Sequence, residues 1–208
     1  MFEKLMKVNT EPLKADTFYH IYNRGINREN IFKEETNYSF FLDKFHRHVS
    51  PVAGTYAYCL LKNHFHFLIK TRTEDDIRSS FPAKRDVEVS KIIALQFSHF
   101  FNSYAQAVNK TYDRTGGLFE TPFRRKEITD ESYLTAIIYY IHSNPQKHRV
   151  VTDFRNYLHS SYSSCLVDKS TKPEKETVLS WFGGRDEFVR LHDDSATSGF
   201  QNAEDFND

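Results

Sequence analysis

Two runs of apolar and aromatic residues near the middle of the chain are joined by a very short polar turn. The runs are residues 56–61 and 65–70, and Lys62 and Asn63 lie at the turn between them. A connection this short favours an antiparallel hairpin, because a parallel pair of strands needs a crossover of a dozen or more residues. The chain is therefore expected to fold around an antiparallel sheet.

Further strand and helix patterns flank this hairpin. Residues 17–24 alternate bulky and polar side chains and stop at Gly25, which is typical of a strand with one buried face. Residues 119–128 also look extended, with Asp130 as the predicted cap of a helix that ends before Pro145. Apolar residues at three-to-four spacing predict three helices, over residues 34–48, 89–109 and 130–143. This order predicts an α+β sandwich with a mostly antiparallel sheet and helices on one face.

Charge is unevenly distributed along the 208 residues. Residues 1–150 carry 22 basic against 17 acidic side chains, whereas residues 151–208 carry 6 against 11. The acidic excess lies mostly after residue 184, in a stretch without sustained periodicity, as in disordered tails. We predict one large domain over residues 1–182 and an acidic, disordered tail over residues 183–208. Residues 74–86 are charged and aperiodic, and are predicted to form a surface loop.

Composition excludes several classes of function. The seven glycines occur singly or in pairs, so neither the dinucleotide-binding nor the P-loop pattern can be written, and no nucleotide cofactor is expected. Cys59 and Cys165 are too few for a secreted disulfide framework. No apolar run approaches the roughly 18 residues of a membrane span. These features predict a soluble, cytoplasmic protein with no membrane partner.

The sharpest local motif is His64-Phe65-His66. On a strand, residues two apart share a face, so both imidazoles point the same way while Phe65 turns into the core. Two imidazoles on one face of a rigid strand can form one corner of a metal site. The alternative is that one or both are ordinary half-buried histidines.

A second motif ends the last predicted helix. Tyr140 and Asn144 are four residues apart and so lie on one helix face, which brings a hydroxyl nucleophile within one turn of an amide oxygen. The alternative is that Tyr140 belongs to the core and that Asn144 is a stop signal before Pro145.

Basic residues cluster in two places among aromatic residues. Arg24 and Arg28 flank Gly25, and Arg124, Arg125 and Lys126 follow a glycine pair. Such charges are usually solvated, but contacts to phosphates combined with stacking on aromatic rings are how proteins bind single-stranded nucleic acid. These five cations are therefore candidate nucleic-acid contacts.

Five short blocks occur in a fixed order between about residue 17 and about residue 165. They begin at Phe18, Leu61, Arg114, Tyr140 and Ser160 and read FYHIYNRG, LKNHFH, RTGGLF, YIHSNP and SSY. In content and order they resemble the REP-associated tyrosine transposases, a branch of the single-tyrosine HUH transposases. The resemblance implies a ferredoxin-like core whose central strand carries two histidines and whose late helix carries one nucleophilic tyrosine.

The resemblance also implies roles for individual residues. His64 and His66 match the metal-binding pair, Asn144 matches the third metal ligand, and Tyr140 matches the nucleophile. Tyr139 is the other candidate nucleophile, but it lacks a partner four residues further on. The implied cofactor is Mg²⁺ or Mn²⁺, and the implied product is a 5′-phosphotyrosine link with a free 3′-hydroxyl.

The implied partner is single-stranded DNA, with a hairpin beside the cleaved strand. A monomer or a homodimer is expected, associated with the nucleoid in the cytoplasm. Two alternatives stay open. One is a catalytically retired protein of the same fold that only binds DNA hairpins. The other is a metal-dependent phosphodiesterase that uses water as the nucleophile.

Overall fold

The computed structural model describes residues 11–167 and 173–198, which form four β-strands and seven α-helices. The strands are β1 (Phe18–Arg24), β2 (Ala53–Leu61), β3 (His64–Thr71) and β4 (Arg124–Ile128). The helices are α1 (Glu35–Val49), α2 (Glu74–Ser80), α3 (Val89–Thr111), α4 (Leu134–Lys147), α5 (Tyr162–Leu166), α6 (Lys175–Phe182) and α7 (Arg185–Ser198). None of these helices is long and apolar enough to cross a membrane.

The sheet has the strand order β2-β3-β1-β4, and all neighbouring strands are antiparallel. The predicted hairpin is the β2–β3 pair. Helices α1 and α3 connect strands that are not neighbours, and this arrangement confirms the predicted α+β, ferredoxin-like sandwich. Because β1 and β3 lie in the centre of the sheet, their side chains are flanked by strands on both sides.

Helices α1 and α3 cover one face of the sheet with an aromatic core. Phe45 of α1 stacks on Phe67 of β3 with ring centroids 4.1 Å apart, and Phe41 packs edge-on against Phe100 of α3. The buried aromatic residues recur at helical spacing on α1 and α3 and at alternate positions on β3. The predicted patterns of these three elements are therefore confirmed.

Helices also cover the opposite face, so the prediction of helices on one face only is wrong. A second core joins Leu61 and Leu68 of the hairpin to Ile137, Ile141 and other residues of α4, with α5, α6 and α7 beside it. Strands β2 and β3 carry apolar residues at odd and even positions alike, which makes both faces of the sheet hydrophobic. We call this second side the α4 face.

The predicted disordered tail is wrong for Arg185–Ser198, which forms α7. Phe188 and His192 are four residues apart on this helix and are both fully buried in the core of the α4 face. Two buried positions among many acidic residues are too few to give a sustained hydrophobic period, so the sequence pattern did not predict this helix. Residues 199–208 lie outside the described residues.

Two smaller boundary predictions are also corrected. The predicted loop 74–86 contains α2, whose first turn is capped by the Thr73 hydroxyl accepting from the Asp76 amide and whose Ile77 is buried. Pro145 lies inside the last turn of α4. Proline lacks only its own amide donor, and the bond from the His148 amide to the Asn144 carbonyl (2.9 Å) continues the helical pattern past Pro145, so the helix extends to Lys147. Asp130 does act as a cap, accepting from the Ser132 amide.

A buried chain of hydrogen bonds ties α7 to α4 and β2. His192 Nδ1 must donate to the carbonyl of Phe188 (2.8 Å), so its Nε2 accepts from His142 Nδ1 (3.0 Å). His142 Nε2 then accepts from the Ser161 hydroxyl (2.9 Å), which accepts from the Tyr58 amide (2.8 Å). Every polar atom of both imidazoles is used while both rings are neutral.

We predict that this network makes the protein lose stability as the pH falls below about 6.5. Burial lowers the pKa of His192 to about 4 and keeps the pKa of His142 well below its usual range. Below about pH 6.5 these histidines bind protons in the unfolded chain but not in the native state. The loss of stability therefore extends down to about pH 4. Between pH 7 and pH 5 we expect about 2 kcal/mol of lost unfolding free energy per histidine.

Urea unfolding of the wild type at both pH values measures this loss. His192→Gln should reduce the difference between the two pH values by about 2 kcal/mol, and His46→Gln, on the exposed side of α1, serves as the control. An equal pH dependence in His192→Gln and the wild type would contradict the prediction.

Candidate active site

The histidine pair lies at the start of β3, immediately after the hairpin turn, and faces α4. His66 is fully buried and His64 is partly buried, with ring centroids 5.4 Å apart and ring planes at 86°. The Nε2 atoms of both rings are inaccessible to solvent. The period of two on β3 places Phe65 in the opposite core, as predicted.

Neighbouring side chains restrict the tautomers of the two rings. His64 Nδ1 lies 2.7 Å from Asn63 Oδ1, and since an amide oxygen only accepts, Nδ1 carries the proton and Nε2 the lone pair. His66 Nδ1 lies 3.1 Å from Nε2 of His20, and a proton on His66 Nδ1 would likewise leave its lone pair on Nε2. Such partners on the second ring nitrogen orient histidines that bind metals.

Three residues at four-residue intervals along α4 and its C-cap face this pair. The Tyr140 ring lies 5.8 Å from that of His66 and 5.9 Å from that of His20, and the His148 ring lies 4.7 Å from that of His64. Asn144 is midway between Tyr140 and His148 along the helix, so its side chain projects toward the space beside the histidine pair.

The amide of Asn144 is held in place by its own helix. Asn144 Nδ2 donates to the Tyr140 carbonyl (2.8 Å), and this bond fixes which end of the amide points outward. Asn144 Oδ1 is buried and accepts no hydrogen bond from the described residues. Leaving such an acceptor without a donor costs about 1–3 kcal/mol, which marks this oxygen as a position for a ligand.

The donors fit a divalent cation, although the set is unusual. Within residues 11–167 and 173–198 no group of three His, Cys, Asp or Glu side chains could hold a metal ion. The candidate set instead comprises two imidazole nitrogens, from His64 and His66, and the amide oxygen of Asn144. Imidazole and amide oxygen are both ligands that divalent metals accept.

The structure distinguishes the two adjacent tyrosines. Tyr140 is buried against His66, and the ammonium of Lys147 lies 4.3 Å from the centroid of its ring. Partial burial lowers the pKa of Lys147. Tyr139 instead packs against Phe154 and His192, with ring centroids 5.9 and 5.6 Å away, on the side of α4 that contacts α7.

Strand register separates the predicted cations into two groups. Residues directly opposite each other in an antiparallel pair share a face. Arg24 pairs with His64, Arg124 pairs with Tyr22, and Lys126 pairs with His20, so all three lie on the α4 face. Arg125 pairs with Ile21 and lies on the other face, 5.3 Å from the Phe123 ring. The structure therefore does not bring Arg125 to the candidate site.

A polar cleft adjoins the His64 end of the site. It has a volume of about 270 Å³ and is lined by Arg24, Arg28, Asn63, His64 and His148. The turn that carries Arg28 is tied to the β2–β3 hairpin, since the Gly25 amide donates to the Asn63 carbonyl (2.9 Å) and Asn63 Nδ2 to the Arg28 carbonyl (3.4 Å). The predicted cation Arg28 thus belongs to the same site as the histidine pair.

Sequence reasoning missed four residues of the site: His20, Asn63, Lys147 and His148. The period of two on β1 could have placed His20 on the same face as Tyr22 and Arg24. The helical period could have placed Lys147 and His148 near the face of Tyr140. The assumption that Pro145 follows the end of α4 removed those two residues from consideration.

No protein-family profile and no curated protein sequence matches this chain. The fold is similar to that of a solved structure, a REP-associated tyrosine transposase bound to a REP hairpin. The similarity covers 75% of this chain and 82% of that chain, at 16% sequence identity and a TM-score of 0.56. At this identity the likeness establishes the shared fold and leaves the chemistry to the residues described above.

We predict that Gly25→Ala damages both stability and the cleft. A Cβ at this position would lie 2.2 Å from the carbonyl oxygen of Glu29, so the backbone of the turn must move. Overpacking of this kind costs about 1–3 kcal/mol, measurable as a lowered melting temperature. Gly54→Ala is the matched control, because its nearest obstacle, at 3.2 Å, is the flexible side chain of Glu174. Equal losses in the two variants would contradict the prediction.

Proposed function

We propose that this protein is a single-stranded DNA endonuclease and strand transferase that works through a 5′-phosphotyrosine intermediate on Tyr140. The observation that carries the proposal is the arrangement on one face of α4. The Tyr140 ring contacts His66, and one turn further along lies the buried, unsatisfied oxygen of Asn144. A nucleophile next to three potential metal ligands suits phosphoryl transfer.

We assign the metal to His64, His66 and Asn144, with Mg²⁺ or Mn²⁺ as the ion. Mg²⁺ prefers oxygen ligands and retains several waters, whereas imidazole nitrogens suit transition metals better. Two nitrogens among three protein donors therefore favour Mn²⁺. When bound, the ion would offset negative charge on a non-bridging oxygen of the scissile phosphate.

The reaction begins with Tyr140. Its Oη attacks phosphorus as the bond from phosphorus to the 3′-oxygen breaks, the phenol loses its proton, and the released 3′-oxygen takes one up. One phosphodiester bond replaces another, so the bond energy is conserved in the link to Tyr140 and the strand can be rejoined without a nucleotide cofactor. The ammonium of Lys147 beside the ring favours the negative charge that develops on Oη during the attack.

We propose single-stranded DNA beside a hairpin as the substrate. The related structure contains a REP hairpin, and the cations of the α4 face supply contacts for phosphates. Tyr22 lies opposite Arg124 and two residues before Arg24 on β1. Its ring stacks on that of His20, with ring centroids 4.9 Å apart. Cation contacts interleaved with aromatic rings are the features that single-strand binding uses.

The two alternative functions predict different structural features and different reaction outcomes. A retired hairpin binder has no use for a buried amide oxygen aimed beside two imidazoles, since unsatisfied acceptors lower stability. A water-using phosphodiesterase would cleave DNA without a covalent adduct. The position of the Tyr140 ring against His66 favours the tyrosine as nucleophile over both.

We predict that Tyr140→Phe abolishes the covalent adduct. The change removes only the attacking oxygen, so adduct on a denaturing gel should fall at least about 100-fold while DNA affinity stays within about twofold. The assay uses labelled hairpin oligonucleotides from the DNA flanking the gene, with Mn²⁺ or EDTA, and locates the adduct by mass spectrometry.

Tyr139→Phe is the control for this experiment. It changes the adjacent tyrosine, which packs against α7, and should keep the adduct. An adduct that persists in Tyr140→Phe would overturn the assignment. Metal-dependent cleavage without any adduct in the wild type would favour the water-using enzyme, and binding without cleavage would favour the hairpin binder.

We predict that Arg124 and Arg125 differ in their effect on DNA binding. Arg124→Gln should reduce the slope of log affinity against log salt by about 0.7, the value for one phosphate contact to a single strand. Arg125→Gln should leave the slope unchanged, because Arg125 lies on the opposite face of the sheet. Fluorescence anisotropy across a salt series measures both slopes, and a lower slope in Arg125→Gln alone would contradict the interpretation.

A further inference from the structure

The cations of the α4 face lie at two ends of the candidate site. Arg24 is directly opposite His64, and Arg28 lines the cleft beside it. Arg124 and Lys126 are opposite Tyr22 and His20, which adjoin His66. We refer to Arg24 and Arg28 as the His64-end cations, and to Arg124 and Lys126 as the His66-end cations.

The proposed nucleophile belongs to one of these ends. The Tyr140 ring contacts His66 and His20, whereas His148, two turns further along α4, contacts His64 and lines the cleft. Helix α4 therefore follows the histidine pair lengthwise, with Tyr140 at the His66 end and the cleft at the His64 end. The proposed metal ligands lie between the two.

Phosphoryl transfer would have a defined direction along the line from the His66 end to the His64 end of the site. The attacking and leaving oxygens lie roughly in line on opposite sides of phosphorus. With Tyr140 attacking from the His66 end, the 3′-oxygen leaves toward the His64 end. Under the proposed function, this geometry would give a direction to the bound strand as well as to the reacting phosphate.

We infer that the cleft lined by Arg24, Arg28, Asn63 and His148 is the subsite for the nucleotide that carries the leaving 3′-oxygen. This inference rests on the proposed function. The strand that stays attached to Tyr140 through its 5′-phosphate would run along the His66-end cations instead. The cleft would keep the released 3′-hydroxyl strand beside Tyr140, where it can attack the phosphotyrosine and be rejoined.

The charge of the cleft suits the phosphate of a nucleotide. Within the described residues neither Arg24 nor Arg28 forms an ion pair with a carboxylate, whereas nearby Arg114 is paired with Glu29. Two guanidinium groups are thus available for phosphate, which they can bind with two parallel hydrogen bonds.

The turn that presents Arg28 is a short 3-10 helix over Ile26–Arg28 that is anchored to the hairpin. Asn27 and Arg28 both have positive φ angles, 55° and 61°, which cost energy for residues other than glycine. Hydrogen bonds from Gly25 to the Asn63 carbonyl and from Asn63 to the Arg28 carbonyl hold the turn against the hairpin. A strained turn fixed to the residue before His64 is consistent with a binding subsite.

The resolution of a preformed adduct, in which an acceptor 3′-hydroxyl displaces Tyr140, tests this subsite independently of the first cleavage. Adduct is made with Mn²⁺, stripped of the released strand in EDTA, and then given Mn²⁺ with an acceptor oligonucleotide that ends in a 3′-hydroxyl. The concentration of acceptor that gives half-maximal resolution measures capture of the 3′-strand. We expect it to rise at least about tenfold in Arg24→Gln/Arg28→Gln, with partial recovery in Arg24→Lys/Arg28→Lys.

Arg124→Gln/Lys126→Gln is the matched double variant at the other end. It should weaken binding of the uncut hairpin but change the acceptor requirement by less than about twofold. If both double variants raise the acceptor requirement equally, or if only the His66-end variant does, the inference is overturned. Absence of any adduct in the wild type would instead remove the proposed function, so the two failures are distinguishable.

A cross-linking measurement on Tyr140→Phe makes the test independent of the arginine variants. A photoreactive base is placed on either side of the scissile phosphate in the uncut hairpin. The base on the 3′-oxygen side should label the peptide that contains Arg28, and the base on the 5′-oxygen side should label β4. The reverse pattern would overturn the assigned direction.

Discussion

The packing of α4 against the sheet is the contact on which the candidate site depends. Neither element contains a complete site, because β3 supplies two imidazoles and α4 supplies the phenol and the amide. The helix and the strand run alongside each other, so two residues that are eight apart along α4 and its C-cap meet two residues that are two apart on β3. Tyr140 meets His66, and His148 meets His64. A shift of α4 by one turn would separate Tyr140 from His66.

The register of α4 is fixed by contacts on its far side. His142 lies on a different side of α4 from Tyr140 and is joined through His192 to α7 and through Ser161 to β2. Such a network is favourable only when every member is satisfied, so it admits few alternative positions of the helix. The acidic C-terminal segment thereby contributes to the geometry of a site that it does not enter.

Local periodicity accounted for most of what the sequence could predict. The β2–β3 hairpin, α1 and α3 follow from alternating or helical patterns, and the facing of His64 and His66 follows from the period of two. Features that depend on long-range packing could not be read this way. The partnership of His20 with His66 requires the β1–β3 register, and which of Arg124 and Arg125 faces α4 became visible only once β4 was paired. Helix α7 was missed because two buried residues give too weak a pattern.

The polar groups of the α4 face are hard to explain by stability alone. The surrounding core is apolar, and a leucine in place of Asn144 would remove a buried acceptor that has no donor among the described residues. His20, His66 and Asn144 are all almost completely buried, yet they lie on the side of the sheet that also carries Arg24, Arg124 and Lys126. Desolvated polar atoms on the same face as these cations form a site whose cost in stability a ligand can offset. The strained turn at Asn27 and Arg28, at the same end as His64, extends that argument from the reacting phosphate to the neighbouring nucleotide.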